Sequence, residues 1–206
     1  MIEQGSPEWF AQRLGKVTAS RIADVMAKTK SGYSASRKNY MAQLIVERMT
    51  GQPQESYTNS AMQWGIDHEA EARSMYEFMS GNVVTPAEFV PHQLILDSGA
   101  SPDGYVGEDG LAEIKCPNTA THIETLLSGR VDDKYILQMQ WQMECCDRAW
   151  CDFVSYDPRM PPELQLFVER VNLDDVRLHG IRGEVIGFIE EMIETISKLN
   201  SLKEAV

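Results

Sequence analysis

One change of period constrains this fold more than any other feature. At Gly81-Asn82 the apolar residues stop recurring at helical spacing and begin to alternate. A side chain returns to the same face of a helix after three or four residues, and of a strand after two. Before the break, TASRIADVMAK carries a helix start, with Thr18 or Ser20 as cap and Ile22, Val25 and Met26 following. Gly32-Tyr33-Ser34 reads as a loop. Residues 36–50 read as a helix with Tyr40, Leu44, Ile45 and Met49 inward, and Gly51-Gln52-Pro53 ends it. A polar loop then leads to a long helix from about Ser60 to Ser80. After the break, NVVTPAEFV, HQLILDSGA, DGYVGEDG and GLAEIKCP read as short strands divided by Pro and Gly turns. Residues 132–147 turn helical, with Tyr135, Ile136, Met139 and Met143 as a stripe, and AWCDFVSYD and ELQLFVERVN give two more strands. The last segment, about 174–202, is an amphipathic helix with Val185, Phe188, Ile189, Met192, Ile196 and Leu199 inward. No repeat or linker interrupts this order. It predicts an α/β or α+β domain over residues 1–206, with a central mixed β-sheet flanked by α-helices.

Bulk properties remove several function classes. The chain has 206 residues, 43% hydrophobic and 24% charged, which suits a globular core and excludes a disordered chain. No apolar run approaches membrane-spanning length and MIEQGSPEWF is no signal peptide, so a cytoplasmic protein is expected. Cys116, Cys145, Cys146 and Cys151 then read as reduced, buried thiols. An iron–sulfur cluster is disfavoured: Cys145 and Cys146 would point about 100° apart on a helix, and no C-x2-C spacing is present. The net charge of −12 argues against nucleic acid, but its distribution does not. Residues 13–48 hold Arg13, Lys16, Arg21, Lys28, Lys30, Arg37, Lys38 and Arg48 against only Asp24 and Glu47. A local basic face can bind a phosphate backbone, although composition alone favours a solvated basic surface.

The stretch SPDGYVGEDGLAEIKCP carries the chemistry. On a strand, Glu113 and Lys115 share a face and Ile114 points the other way, into the core. If the flanking strands form a hairpin, Asp103 comes beside Glu113. Paired carboxylates raise each other's pKa unless a cation lies between them, and an all-oxygen set selects Mg²⁺ or Mn²⁺. A lysine on the same face can position or deprotonate a water next to the metal, which is a kit for phosphodiester hydrolysis. Residue types alone also allow an exposed hairpin with a Glu113–Lys115 surface pair.

The wording Pro102-Asp103 followed by Glu113-Ile114-Lys115 resembles the PD-(D/E)xK nuclease signature. Around it, in order, stand W-x3-R-L-G-x-V-T-A-S (Trp9 to Ser20), W-G-x3-E-x2-A-R (Trp64 to Arg73), S-P-D-G, E-x-K-C-P, Q-x-Q (Gln138, Gln140) and Y-D-P-R-M (Tyr156 to Met160). That series resembles the phage lambda exonuclease group, the YqaJ-type viral recombinases, over roughly residues 5 to 195. The resemblance implies a PD-(D/E)xK core and a processive 5′→3′ exonuclease on double-stranded DNA. It implies a ring-shaped homotrimer with a single-strand annealing protein as partner, in a phage or prophage setting within a bacterial host. By matching position it makes Asp103, Glu113 and the Ile114 carbonyl ligands of Mg²⁺, with Mn²⁺ as substitute. Lys115 orients or activates the attacking water, Glu69 is an additional carboxylate, and Gln138 lies near the active site. By the same matching, Arg13 and Ser20 are expected to hold the 5′-terminal phosphate. A start at a helix terminus would suit Ser20 for that task, and Arg13 would add bidentate contacts.

The sequence departs from the family in two places. Trp141 stands where tyrosine often follows the Q-x-Q, which keeps an aromatic face and removes the hydroxyl, and little chain precedes the first motif. Two other readings compete. One is a site-specific endonuclease of the same superfamily. The other is a non-catalytic DNA-end-binding protein, which the joint presence of Asp103, Glu113 and Lys115 argues against.

Overall fold

A computed structural model describes residues 2, 4–54 and 60–204. Residues 55–59, most of the polar loop expected before the long Ser60–Ser80 helix, lie outside them. Helix α1 (Pro7–Arg13) is capped by Ser6, whose hydroxyl accepts from the Trp9 N–H at 3.2 Å. Strand β1 (Val17–Thr18) follows, then a 3₁₀ turn (Ala19–Arg21) and a five-residue helix α2 (Ile22–Met26).

This corrects the expected helix start. Neither Thr18 nor Ser20 caps a helix through its side chain, and Arg21 occupies the N-cap position of α2. Val17 and Thr18 pair in parallel with Ser98 and Gly99, and the Thr18 N–H goes to the Tyr40 hydroxyl at 3.1 Å. Sheet pairing holds the segment extended where local signals alone favour a helix. A second correction is small: Gly32-Tyr33 is not loop but strand β3 (Gly32–Tyr33), paired with β2 (Lys28–Thr29).

Helix α3 (Ala35–Thr50) runs from a Ser34 cap to Gly51 in the left-handed region, and α4 covers Ser60–Ser80. The strands after Gly81 are shorter than the alternation suggests: β4 (Val84–Thr85), β5 (Val90–Pro91), β6 (Ser98–Ala100) and β7 (Gly104–Val106). Most of HQLILDSGA is turn, because His92 Nδ1 accepts the N–H groups of both Leu94 and Ile95 and folds the chain back. Strand β8 (Gly110–Lys115) leads to α5 (Thr119–Ser128), a helix that the periodicity did not reveal. Then come α6 (Asp133–Cys146), β9 (Trp150–Tyr156), β10 (Leu166–Asn172) and α7 (Asp175–Glu204).

The central sheet has the order β10-β9-β8-β7-β4 and is mixed: β8 and β9 are parallel and the other pairs antiparallel. A smaller sheet, β1-β6-β5, leads into the SPDG turn. Helix α4 covers one face of the central sheet, where Ala72 and Tyr76 pack on Ala112, Ile114, Val154 and Tyr156. Helix α6 covers the other, with Met139 and Met143 on Leu111, Cys151 and Phe153. A third cluster joins α2, α3, α6 and α7; it contains Val185, Phe188, Ile189 and Met192, with Ile196 and Leu199 packed against it. Strand β8 is thus buried on both faces, and any polar side chain on it must be satisfied from a neighbouring element.

Candidate active site

The β7–β8 hairpin sets the register. Gly104 opposes Ala112, which places Asp103 at the strand entrance opposite Glu113. The Asp103 carboxylate accepts the Ile114 N–H at 2.6 Å. An extended residue points its N–H and C=O to the same edge, so the Ile114 carbonyl is directed to the Asp103 side, where β7 has ended. Gly104 is required by close approach: a Cβ there would lie 2.3 Å from Val84 Cγ1 and 2.9 Å from the Thr85 carbonyl oxygen.

Side-chain alternation puts Glu113 and Lys115 on the face of Leu111, beneath α6. Glu113 is 1% exposed. Gln138 Nε2 donates to its Oε1 and Gln142 Nε2 to its Oε2, both at 2.6 Å, and the Lys115 ammonium also contacts Oε1. Gln138 and Gln142 are one helical turn apart on α6, in a row beside Met139 and Met143. Gln142 was not anticipated. Its signal in the sequence is the i,i+4 repeat of glutamine next to an i,i+4 repeat of methionine, a polar row where the helix otherwise buries apolar groups. Gln140 of the Q-x-Q motif points elsewhere, bridging the Asn172 carbonyl and the Asp174 N–H at 2.8 Å each.

Burial pushes the Asp103 carboxyl well above its ordinary range; Glu113 and Glu69 add to this and Lys115 opposes it. Burial pulls the Lys115 ammonium down, but Glu113 and Asp103 outweigh it and hold Lys115 above its usual value. Cys116 is pushed up to about 12 by burial, with Glu69 and Asp103 contributing, so it is a protonated thiol. All four cysteines are free; Cys116, Cys145 and Cys151 are buried and Cys146 is half-buried.

Glu69 on α4 pairs with Arg73 at 2.9 Å, the ordinary i,i+4 partner, and Arg73 Nη2 also reaches the Asp103 carbonyl at 3.4 Å. Helix α4 is thereby tied to the turn that carries Asp103. Among the described residues no group of three or more His, Cys, Asp or Glu side chains converges closely enough to form a complete metal cage. The donors present are Asp103, Glu113 and a main-chain carbonyl, with Glu69 nearby, and they carry an excess of negative charge. That set fits a hard divalent cation of the Mg²⁺ type, which commonly keeps several waters and takes one or two carboxylates.

Arg13 and Ser20 sit on different elements. The Arg13 guanidinium donates to Ser101 Oγ at 3.0 Å and lies 4.0 Å from the Trp9 ring centroid. Burial brings its pKa down to about 10, with Tyr40 and Glu47 opposing, so it stays cationic at neutral pH. Ser101 also accepts Trp9 Nε1–H at 3.1 Å, so the first motif is fastened two residues before Asp103. Ser20 is exposed, with its hydroxyl 3.5 Å from that of Thr18. It follows β1, whose partner β6 leads into the SPDG turn. No hydrogen bond joins Arg13 to Ser20.

Two motifs that are distant in sequence meet. The Arg159 guanidinium lies 4.1 Å from the Trp64 ring, which stacks on His68 at 3.6 Å, and Arg159 Nη2 donates to the Pro117 carbonyl at 3.2 Å. Trp141 is wholly buried beside His92 in the core, with no face open for stacking on a ligand.

Comparison with known proteins adds to this geometry. Residues 8–149 match the model of the YqaJ-like viral recombinase domain. The chain is similar to an alkaline exonuclease, LHK-Exo from Laribacter hongkongensis, at 50% identity and a TM-score of 0.91. The match covers 97% of this chain and 99% of that one. A crystal structure of LHK-Exo in complex with dAMP matches equally. A phage-related exonuclease from Haemophilus somnus 129PT shares the fold, with a TM-score of 0.71 at 16% identity, over 89% of this chain and 96% of that one. No curated protein matches by sequence. The mixed sheet with its carboxylate hairpin, the ordered motifs and these likenesses together show that the chain belongs to the YqaJ-like viral recombinase domain family.

Proposed function

We propose that this protein is a divalent-metal-dependent 5′→3′ exonuclease. It digests one strand of linear double-stranded DNA to 5′ mononucleotides and leaves a 3′ single strand for recombination by annealing. The observation that carries the reading is the convergence of Asp103, Glu113 and Lys115 at the β7–β8 hairpin, in a chain half identical to an alkaline exonuclease. Asp103, Glu113 and the Ile114 carbonyl hold Mg²⁺ or Mn²⁺, with Glu69 as a further carboxylate at the edge. A bound cation supplies charge neutralisation at the scissile phosphate and a more acidic water. Lys115, fixed on Glu113, orients the attacking water. Gln138 keeps Glu113 in place. Arg13, with Ser20, receives the 5′-terminal phosphate, and its link through Ser101 sets the distance from that phosphate to the carboxylates. The dAMP complex of LHK-Exo supports a nucleotide-sized site.

The reading extends to a ring-shaped homotrimer threaded by DNA and to a single-strand annealing protein as partner, acting in the cytoplasm of a bacterial host. No helix among the described residues is long and apolar enough to cross a membrane. The test is digestion of 5′-phosphorylated linear duplex, 5′-hydroxyl linear duplex and a closed circle, each with and without Mg²⁺. Mg²⁺-dependent release of mononucleotides from phosphorylated ends, with the circle spared, is expected. Cutting of the circle moves the protein to the endonuclease class, and binding without cutting makes it an end-binding protein.

A further inference from the structure

We propose that Gln142 is a positioning residue for Glu113, fixing the plane of the carboxylate and leaving it one open acceptor position for a divalent cation. The inference rests on the exonuclease reading above. A carboxylate has about four acceptor positions. Gln138 Nε2 and Lys115 Nζ take both positions on Oε1, and Gln142 Nε2 takes one on Oε2. Among the described residues no further donor reaches Glu113, so the single open position is on Oε2. Removing Gln142 frees the outer half of the carboxylate to rotate about its terminal bond, since Gln138 and Lys115 hold only Oε1.

A second observation supports the role. Gln142 is wholly buried, and its own Oε1 has no hydrogen-bond partner among the described residues. An unpaired buried amide oxygen is costly, because it gives up its bonds to water and gains none in return. Turning the amide over does not relieve this, because it would set Oε1 against the Glu113 carboxylate. The side chain therefore keeps an unsatisfied acceptor in order to hold its NH₂ on Glu113. A position that served packing alone would carry an apolar group, as Met139 and Met143 in the adjacent row do.

The experiment is Mn²⁺ titration by calorimetry in the absence of DNA, on wild type, Gln142→Met and Met143→Leu. Thermal unfolding in EDTA and kcat and KM on linear duplex are measured alongside. Methionine keeps the length of the side chain and removes the donor. Gln142→Met is expected to bind Mn²⁺ about 10–100-fold more weakly, with kcat falling in parallel and KM for DNA unchanged. Met143→Leu, which repacks the neighbouring row without touching Glu113, is expected to keep wild-type affinity. If Gln142→Met does not fold, Gln142→Asn, whose shorter amide cannot reach Glu113, carries the same expectation. Wild-type affinity in the Gln142 variant, or an equal loss in Met143→Leu, overturns the role of Gln142 and leaves the nuclease reading standing. Absence of Mn²⁺ binding by wild type overturns the nuclease reading itself, and this role with it.

Discussion

Gly104→Ala probes how firmly the SPDG turn places Asp103. The added methyl would lie 2.3 Å from Val84 Cγ1 and 2.9 Å from the Thr85 carbonyl oxygen. Val84 is 5% exposed and packed among residues of α4 and the sheet, so its side chain has little room to turn. The carbonyl is backbone, and only a shift of the short strand β4 relieves it. Overpacking of a tight site costs about 1–3 kcal/mol. At about 2–4 °C per kcal/mol for a chain of this size, the melting temperature falls by about 2–12 °C. Cleavage falls further, because Asp103 is the adjacent residue and a displacement of about 1 Å costs on the order of 100-fold in rate. Val84→Ala removes the nearer clash and keeps the farther one. The double variant should therefore be more stable than the sum of the singles, with a coupling of about 0.5–3 kcal/mol. Urea unfolding in EDTA gives the stabilities, and release of acid-soluble nucleotide from linear duplex gives the rate. Unfolding of Gly104→Ala at the wild-type midpoint, or strict additivity in the double variant, would refute the close-packing account.

Asp103→Asn should abolish cleavage yet stabilise the metal-free protein at pH 8. Asparagine still accepts the Ile114 N–H while relieving a buried charge beside Glu113. A carboxyl raised in the folded state binds protons there that the unfolded chain has released. Wild-type stability should therefore fall as pH rises above about 4, by up to about 1.4 kcal/mol per pH unit for this group, and the variant should lack that fall. Parallel urea midpoints across pH 5–9 would contradict it. Arg13→Ala should slow digestion of 5′-phosphorylated ends by about 10- to 150-fold, the worth of a charged hydrogen bond, and 5′-hydroxyl ends much less. Equal slowing of both ends would remove Arg13 from the phosphate site. Arg182 grips Glu144 at 2.8 Å through both nitrogens; burial raises the Glu144 carboxyl, but Arg182 and His92 outweigh it and hold it below its ordinary range. Arg182→Met should lose about 0.2–1 kcal/mol at pH 7, since Arg182 is partly exposed. That deficit should vanish as pH falls below about 4, where wild type loses the same contribution. A deficit constant down to pH 3 would show that the loss is packing, not charge.

How much of this was legible in the sequence depended on the range of the interaction. Helices α3, α4, α6 and α7 could be read because each carries its own apolar stripe, and the Asp103–Glu113 juxtaposition could be read because a hairpin is local. The TASR segment was misread because the parallel partner that extends Val17 and Thr18 lies some eighty residues away. Helix α5 was missed because its stripe is short. Its buried residue is His122, which bonds Ser155 Oγ and the Leu164 carbonyl, and a lone polar residue gives no periodicity. The burial of Glu113 was hidden for a related reason. A strand covered on both faces places acidic and apolar residues alike inside, and only the glutamine row of α6 distinguishes them. Trp141 shows the same limit: the rotation of α6 turns it into the cluster with α2, α3 and α7, opposite Met139 and Met143, and the Q-x-Q spacing alone does not say so.

The two glutamine contacts to Glu113 span 25 and 29 residues, and Arg13 reaches Ser101 across 88. Contacts of that separation close late, after local helices and hairpins have formed. A chain emerging from the ribosome completes the β7–β8 turn well before α6 is made and docked. Until then Glu113 lacks its glutamine clamp, so the growing polypeptide carries the carboxylates without the means to aim them. In refolding, the far-ultraviolet helix signal should recover ahead of cleavage, and hydrolytic competence becomes a marker that long-range docking is complete.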